Sequence, residues 1–352
     1  MNLTLSNNKK QILGVDIGSR FVKAVLLSQK GKRFCIDAIA CEAIYGDAFQ
    51  EREIKDFDAV SHAIKKLRKS LQNNPKSVAM AVSGATVLTK VIDMDSGLSD
   101  VDLEAQIEIE ADSLIPYPIN EVYIDFEEIG ACARKPGRSD VLLSVAHKNI
   151  VENRTLLCGE ADYNLKVMDI EGYALGNAML NLGQFQTDEV VFCLSIGAAQ
   201  LQLTAIKDNQ VIMSRELPYG TDALVNDMAM AYELPKNEVQ KGLLSGDLPE
   251  NWRDVMYPQF LSSLQMQINR ILQLYVTTFN AEQPGKIYLC GGGATISGLS
   301  EDLAMDMQLE VEVFDPFEHC DSAKNVDLSE FKGAQFAIAA GLAWRSLSTC
   351  HI

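Results

Sequence analysis

No stretch of this 352-residue chain is apolar for long enough to span a bilayer, and its opening residues, MNLTLSNNKKQ, carry no apolar signal core. The expectation is a chain that stays in the cytoplasm. Positive charge is short as well: 31 Lys and Arg against 48 Asp and Glu leave a net charge of −17. Phosphate backbones and anionic lipid repel such a surface, which argues against nucleic acid or direct membrane insertion. The eight cysteines form no C-x-x-C pair and lie mostly inside apolar runs, as buried reduced thiols do. The four histidines show no ligand spacing, and His319 beside Cys320 is at most a fragment of a metal site. A Walker A sequence is missing too, because Gly285-Lys286 runs into Ile287 rather than Ser or Thr.

What is present is an internal repeat. Gly14 to Leu27 (GVDIGSRFVKAVLL) and Cys193 to Ile206 (CLSIGAAQLQLTAI) align without a gap at an offset of 179 positions. Each has an apolar run, an x-[DS]-I-G turn and a second apolar run, the pattern of a β-hairpin. Glycine at the turn suggests positive φ, with neighbouring N–H groups free to face an anion. Two such turns would clamp a phosphate from both sides, although the motif alone also fits two ordinary hairpins.

The surrounding pattern repeats as well. Ile12–Asp16, Phe21–Gln29 and Phe34–Ala43 read as strands, and Asp56–Asn73 as a helix with an apolar stripe at Val60, Ile64, Leu67 and Leu71. Val190–Ile196, Leu201–Lys207, Val211–Pro218 and a helix from Gly220 through Tyr232 follow the same order. Between the halves, about residues 85–166, an α/β insert is expected. It has strands at Val87–Met94, Val122–Ile129 and Val141–Val145, an exposed turn at Ala133–Asp140, and a helix capped by Ser99 that ends at Ile115 before Pro116. Leu103–Leu114, acidic on one face and apolar on another, either covers a sheet or offers a surface. Later come a helix at Phe260–Phe279, a strand at Lys286–Cys290, a helix at Leu299–Met307 and an Ala-rich helix at Phe336–Leu347. Gly341 inside the last helix suggests close packing. The expected domains are 1–187 with the insert, 188–330, and a C-terminal helix in 331–352 returning to the first.

Asp16 at a strand end can hold Mg²⁺ through water, Ser19 can donate to a terminal phosphate, and Lys23 can reach back to neutralise it. Gly18 completes the first cradle. Gly197 and the N–H of Ala198 supply the second, where Ser195 stands in the register of Asp16 and brings no charge. The run Gly291-Gly292-Gly293 lets backbone approach a base or ribose closely.

This ordered set of two hairpins, GGGA turn and Ala/Gly-rich helix resembles the actin-like ATPase superfamily of actin, heat-shock chaperone ATPase domains, sugar kinases and FtsA. Within it the chain resembles the PilM family of type IV pilus assembly. The resembling segments are Gly14–Lys23, Leu98–Pro118 (LSDVDLEAQIEIEADSLIPYP), Val167–Ala174 (VMDIEGYA), Ile268–Tyr275, Ile287–Leu299 and Asp315–Phe317. The block at Leu98–Pro118 is the most discriminating.

The resemblance implies an actin-like α/β fold of two homologous domains with an FtsA-like inserted subdomain. It places Asp16, Gly18, Ser19 and Lys23 on the first phosphate motif, and Ser195, Gly197 and Ala198 on the second. Gly291, Gly292 and Gly293 fall on the adenosine motif, Glu171 in a connecting segment bordering the site, and a basic residue near Lys241 at the base or ribose. ATP or ADP with Mg²⁺ is the implied ligand. Asp is usual at Ser195, so hydrolysis is expected to be weak or absent. The implied partner is the cytoplasmic N-terminal peptide of a PilN-like inner-membrane protein, held in a groove between the first subdomain and the insert. Leu103–Ile115 and Val78–Ser83 are the surface expected nearby. Other pilus assembly proteins and a homo-oligomer are further implied partners. An active ATPase or kinase is the alternative, and it needs the second carboxylate.

Overall fold

A computed structural model describes residues 11–50, 53–84, 87–132, 135–185 and 189–347. The expected boundary residues 187 and 188, Cys350, His351 and part of the 133–140 turn lie outside these. The first meander is β1 (Leu13–Ile17), β2 (Phe21–Lys30) and β3 (Arg33–Ala43), followed by a minimal hairpin, β4 (Phe49–Gln50) and β5 (Glu53–Ile54). Helix α1 (Phe57–Ser70) begins where the Asp56 carboxylate accepts the Ala59 N–H at 2.9 Å, and it buries Val60, Ala63, Ile64 and Leu67. Strand β6 (Ser77–Val82) then inserts beside β1.

The insert consists of β7 (Val87–Asp95), α2 (Asp100–Leu114), β8 (Val122–Ala131) and β9 (Arg138–His147), its strands ordered β7-β9-β8. Ser99 caps α2 by accepting the Asp102 N–H, and Leu103, Ile107 and Ala111 face the sheet. Covering a sheet is therefore what the apolar face of α2 does, while its acidic face meets solvent. The chain leaves the insert at His147, well before residue 166. Helix α3 (Lys148–Glu160) packs Leu157 and Cys158 into the core under β1 and β6, and β10 (Asn164–Ile170) leads into α4 (Glu171–Leu182).

In the second half, β11 (Val191–Ile196), β12 (Leu201–Lys207) and β13 (Gln210–Leu217) form another meander. They are followed by α5 (Asp222–Ala231), α6 (Lys236–Ser245), α7 (Trp252–Val255) and α8 (Tyr257–Phe279). Strand β14 (Lys286–Cys290), α9 (Leu299–Met307), β15 (Glu310–Val313), β16 (Asp321–Ser322) and α10 (Ala337–Trp344) complete the described chain. Among the described residues no helix is long and apolar enough to cross a membrane.

The two large sheets have the same plan. One runs β10-β6-β1-β2-β3-β16 and the other β13-β12-β11-β14-β15. In each, an antiparallel meander of three is extended on its first strand by two parallel strands. The short β16 joins β3, so the chain rejoins the first sheet at Asp321, ahead of residue 331.

Helices α4 and α10 lie together between the sheets, their apolar faces sharing one core with Val25, Leu27, Val191, Cys193 and Cys290. A Cβ on Gly341 would collide with the Ala174 carbonyl, and one on Gly14 with the Ala339 carbonyl, so both glycines are needed for backbone-to-backbone approach. The seven described cysteines are free thiols, four of them buried.

Candidate functional site

Strands β1 and β11 and the parallel strand β14 end at one cleft, the position where open α/β sheets leave loop backbone and helix starts facing a common space. β1 delivers Asp16 and then the Gly18-Ser19-Arg20 turn, β11 delivers Ser195 and then the Gly197–Gln200 turn, and β14 delivers Gly291 and Gly292. Glu171, 6% exposed, enters from the start of α4. The cleft encloses about 1120 Å³, open mouth included.

Register explains the first wall. Asp16 on β1 pairs directly with Lys23 on β2, so their side chains share a face. The Lys23 Nζ donates to Asp16 Oδ2 at 2.5 Å and to the Gln335 carbonyl at 3.0 Å. The second wall is neutral: at Ser195 and Gln202 no formal charge faces the cleft, and Gln202 leans on Glu216 behind it at 3.4 Å.

The turns are built differently from expectation. Gly18 and Gly197 do not adopt positive φ, and each donates its own N–H back across the turn, to Phe21 at 3.0 Å and to Gln200 at 2.8 Å. A Cβ there would sit 3.2 Å from the Phe21 carbonyl and 3.0 Å from the Gln200 carbonyl, so a side chain at either position would crowd the turn. Gly291, by contrast, holds φ +83°.

Ten of the eleven expected nucleotide-site residues line this cleft: Asp16, Gly18, Ser19, Lys23, Glu171, Ser195, Gly197, Ala198, Gly291 and Gly292. Gly293 does not. It is buried behind the cleft, where a Cβ would strike the Ile196 side chain. Nor does Lys241, which is exposed on α6; one residue of helical rotation brings Gln240 to the cleft instead. Sequence reasoning missed Arg20, Gln200 and Gln240. A polar residue immediately before the second strand of each hairpin was the available signal for the first two.

Among the described residues six buried side-chain polar atoms lack a hydrogen-bond partner, and three of them are Gln200 Nε2, Gln200 Oε1 and Gln240 Nε2. An unsatisfied buried amide atom costs about 1–3 kcal/mol, and a polar ligand in the cleft would satisfy these. Among the described residues no group of three or more His, Cys, Asp or Glu is placed to hold a metal ion. A divalent cation at Asp16 would thus take most of its oxygens from ligand phosphates and water, as Mg²⁺ commonly does.

A second hollow, about 1060 Å³ with its mouth, opens between the edge strand β8 of the insert and the β10–α4 junction. Tyr123, Asp125 and Glu127 come from β8, Asp169 and Tyr173 from the junction, and Arg345 from the end of α10. Burial pushes the Asp169 carboxyl above its ordinary range, against the pull of Arg345, whose Nε lies 3.5 Å from Oδ2. Of the expected surface Val78–Ser83, only Val82 borders this hollow: those residues form or end β6, buried between β10 and β1 in the first sheet.

The fold has known counterparts. A family model described as "Type IV pilus assembly protein PilM" matches residues 14–347. The chain is similar to a solved structure titled "PilM-PilN type IV pilus biogenesis complex", with 23% identity, a TM-score of 0.79, and 97% of this chain and 99% of that one covered. It is also similar to the ethanolamine utilization protein EutJ from Carboxydothermus hydrogenoformans, with 15% identity, a TM-score of 0.57, and coverage of 94% and 88%. These likenesses show an actin-like fold.

Proposed function

The chain belongs to the PilM family of type IV pilus assembly proteins, and from that premise we propose that it is a nucleotide-binding scaffold that grips a PilN-like peptide. The carrying observation is a pair of cavities on either side of one junction: Glu171 faces the cleft, while Asp169 and Tyr173 face the groove. The cleft takes ATP or ADP, its phosphates between the two hairpin turns, with Ser19 and Lys23 on the terminal phosphate and Asp16 holding Mg²⁺ through water. Bound nucleotide would supply partners for the orphaned Gln200 and Gln240 amides. Apolar residues around Gly291 and Gly292 would receive the base.

Hydrolysis is weak in this reading, because Ser195 offers no second carboxylate to orient metal or attacking water. Ser195→Asp is expected to make nucleotide affinity more Mg²⁺-dependent and to raise phosphate release. A variant indistinguishable from wild type in calorimetry and phosphate assay would show that the missing carboxylate is not limiting.

The groove takes the cytoplasmic N-terminal segment of the single-pass partner, bringing the chain to the inner membrane through that protein. Three carboxylates against one arginine suit a peptide rich in Lys and Arg, the usual bias of cytoplasmic flanks. A labelled peptide of this kind is expected to bind with a Kd in the micromolar range or tighter, about −8 kcal/mol. Reversing the exposed Asp125 to Lys should weaken it several-fold, chiefly by slowing association, and lessen its salt dependence, since an exposed charge pair is worth up to about 1 kcal/mol. No anisotropy change on titrating the full chain would remove the peptide from this proposal and leave the active ATPase or kinase as the better reading.

A further inference from the structure

Arg20 ends the first glycine turn and lines the cleft, yet its guanidinium does not stay on its own wall. Nε and one terminal nitrogen meet the two carboxylate oxygens of Asp222 at 3.1 Å each, a two-pronged pair joining residues 202 positions apart. The other terminal nitrogen reaches Asp47 at 3.3 Å and the Gly46 carbonyl at 3.5 Å, and Asp47 is largely exposed. Asp222 is fixed from below: it starts α5, and its N–H donates to the Ala198 carbonyl at 2.8 Å, beside the second turn. The pair therefore spans the cleft from one hairpin turn to the base of the other.

A guanidinium fork matches a phosphate as well as a carboxylate, and the phosphate carries more charge. We propose that Arg20 reads the terminal phosphate of a nucleoside triphosphate, exchanging Asp222 for it and so releasing the contact between the two halves. This rests on the reading that nucleotide occupies the cleft with its terminal phosphate at Ser19, one residue from Arg20. The exchange is local, because the remaining Arg20 partners sit on an exposed lip where ion pairs contribute little. A nucleoside diphosphate lacks the group that would displace Asp222, and the bridge stays closed over it.

Calorimetric titration of the full chain with ADP and with a non-hydrolysable ATP analogue, both with Mg²⁺, tests this. Arg20→Ala is expected to lose about tenfold in affinity for the triphosphate while holding ADP within about twofold, the size of one charge-assisted hydrogen-bonded contact. Asp222→Asn, which frees the guanidinium, should bind the triphosphate several-fold more tightly. The opposite signs separate the proposal from a merely structural pair, whose removal from either side would act in the same direction on both nucleotides. Equal changes for the two ligands, or none, overturn it. Should Arg20→Ala fail to fold, Asp222→Asn decides alone: a gain for the triphosphate supports the exchange and a loss refutes it. A wild-type chain that binds neither nucleotide overturns occupancy of the cleft, and Arg20's role with it.

Discussion

Lys23→Ala is expected to abolish measurable nucleotide binding and to lower the melting temperature by several degrees. Both effects come from one ammonium. The Lys23 side chain is 15% exposed and that of Asp16 5%, so removing the cation strands a carboxylate with little access to water. Breaking a buried pair from one side costs about 3–5 kcal/mol, and partial access to the cleft puts this case at the lower end. The double variant Asp16→Asn with Lys23→Ala removes the stranded charge, so it should regain most of the stability without regaining nucleotide. Calorimetry and thermal melts on the three proteins separate the two roles. Wild-type affinity in the single variant would show that Lys23 serves only to hold Asp16.

Gly341→Ala is expected to destabilise the chain by about 3 kcal/mol or more, toward or beyond the upper end of overpacked cores. The added methyl would run into the Ala174 carbonyl, and neither helix backbone can yield, since α4 and α10 are held between two sheets. The consequence should reach function. Helix α4 carries Glu171 to the cleft and Tyr173 to the groove, while α10 runs from Ala337 and Ile338 at the cleft to Arg345 at the groove. Displacing one helix against the other should therefore weaken nucleotide and peptide together. Gly159→Ala is the control: also within a helix, it has nothing within 4 Å of the new Cβ and should be neutral or stabilising by up to about 1 kcal/mol. Urea titrations of the pair give the comparison, and a Gly341→Ala midpoint equal to that of Gly159→Ala would mean the helices separate without cost.

Much of this was legible in the chain itself. The alternating and apolar runs at Phe21–Lys30 and Leu201–Lys207, with glycine turns before them, define both hairpins to within a residue. Ser99 and Pro116 bracket α2 because capping and proline sterics act over one turn of backbone. Ser195 in the register of Asp16 could be read by alignment of the two halves. These are short-range features, fixed by period and local hydrogen bonding.

The remainder depended on tertiary contact. Ser77–Val82 is too short and too uniformly apolar for its pattern to reveal that it would be buried between β1 and β10 as a parallel strand, a pairing made across long crossovers. Helix α2 could cover a sheet or offer a surface until β7, β8 and β9 were seen beneath it. Whether Lys241 or Gln240 faces the cleft depends on the rotation of α6, set by Val239 and Gly242 packing inward rather than by either candidate. The Arg20–Asp222 bridge and the Asp169–Arg345 pair join residues 202 and 176 positions apart. The sequence by itself determined the two aligned glycine turns and the presence of a carboxylate beside only one of them. The tertiary structure decided what crosses between those turns and where a second groove opens, because both depend on strands and helices brought together from distant parts of the chain.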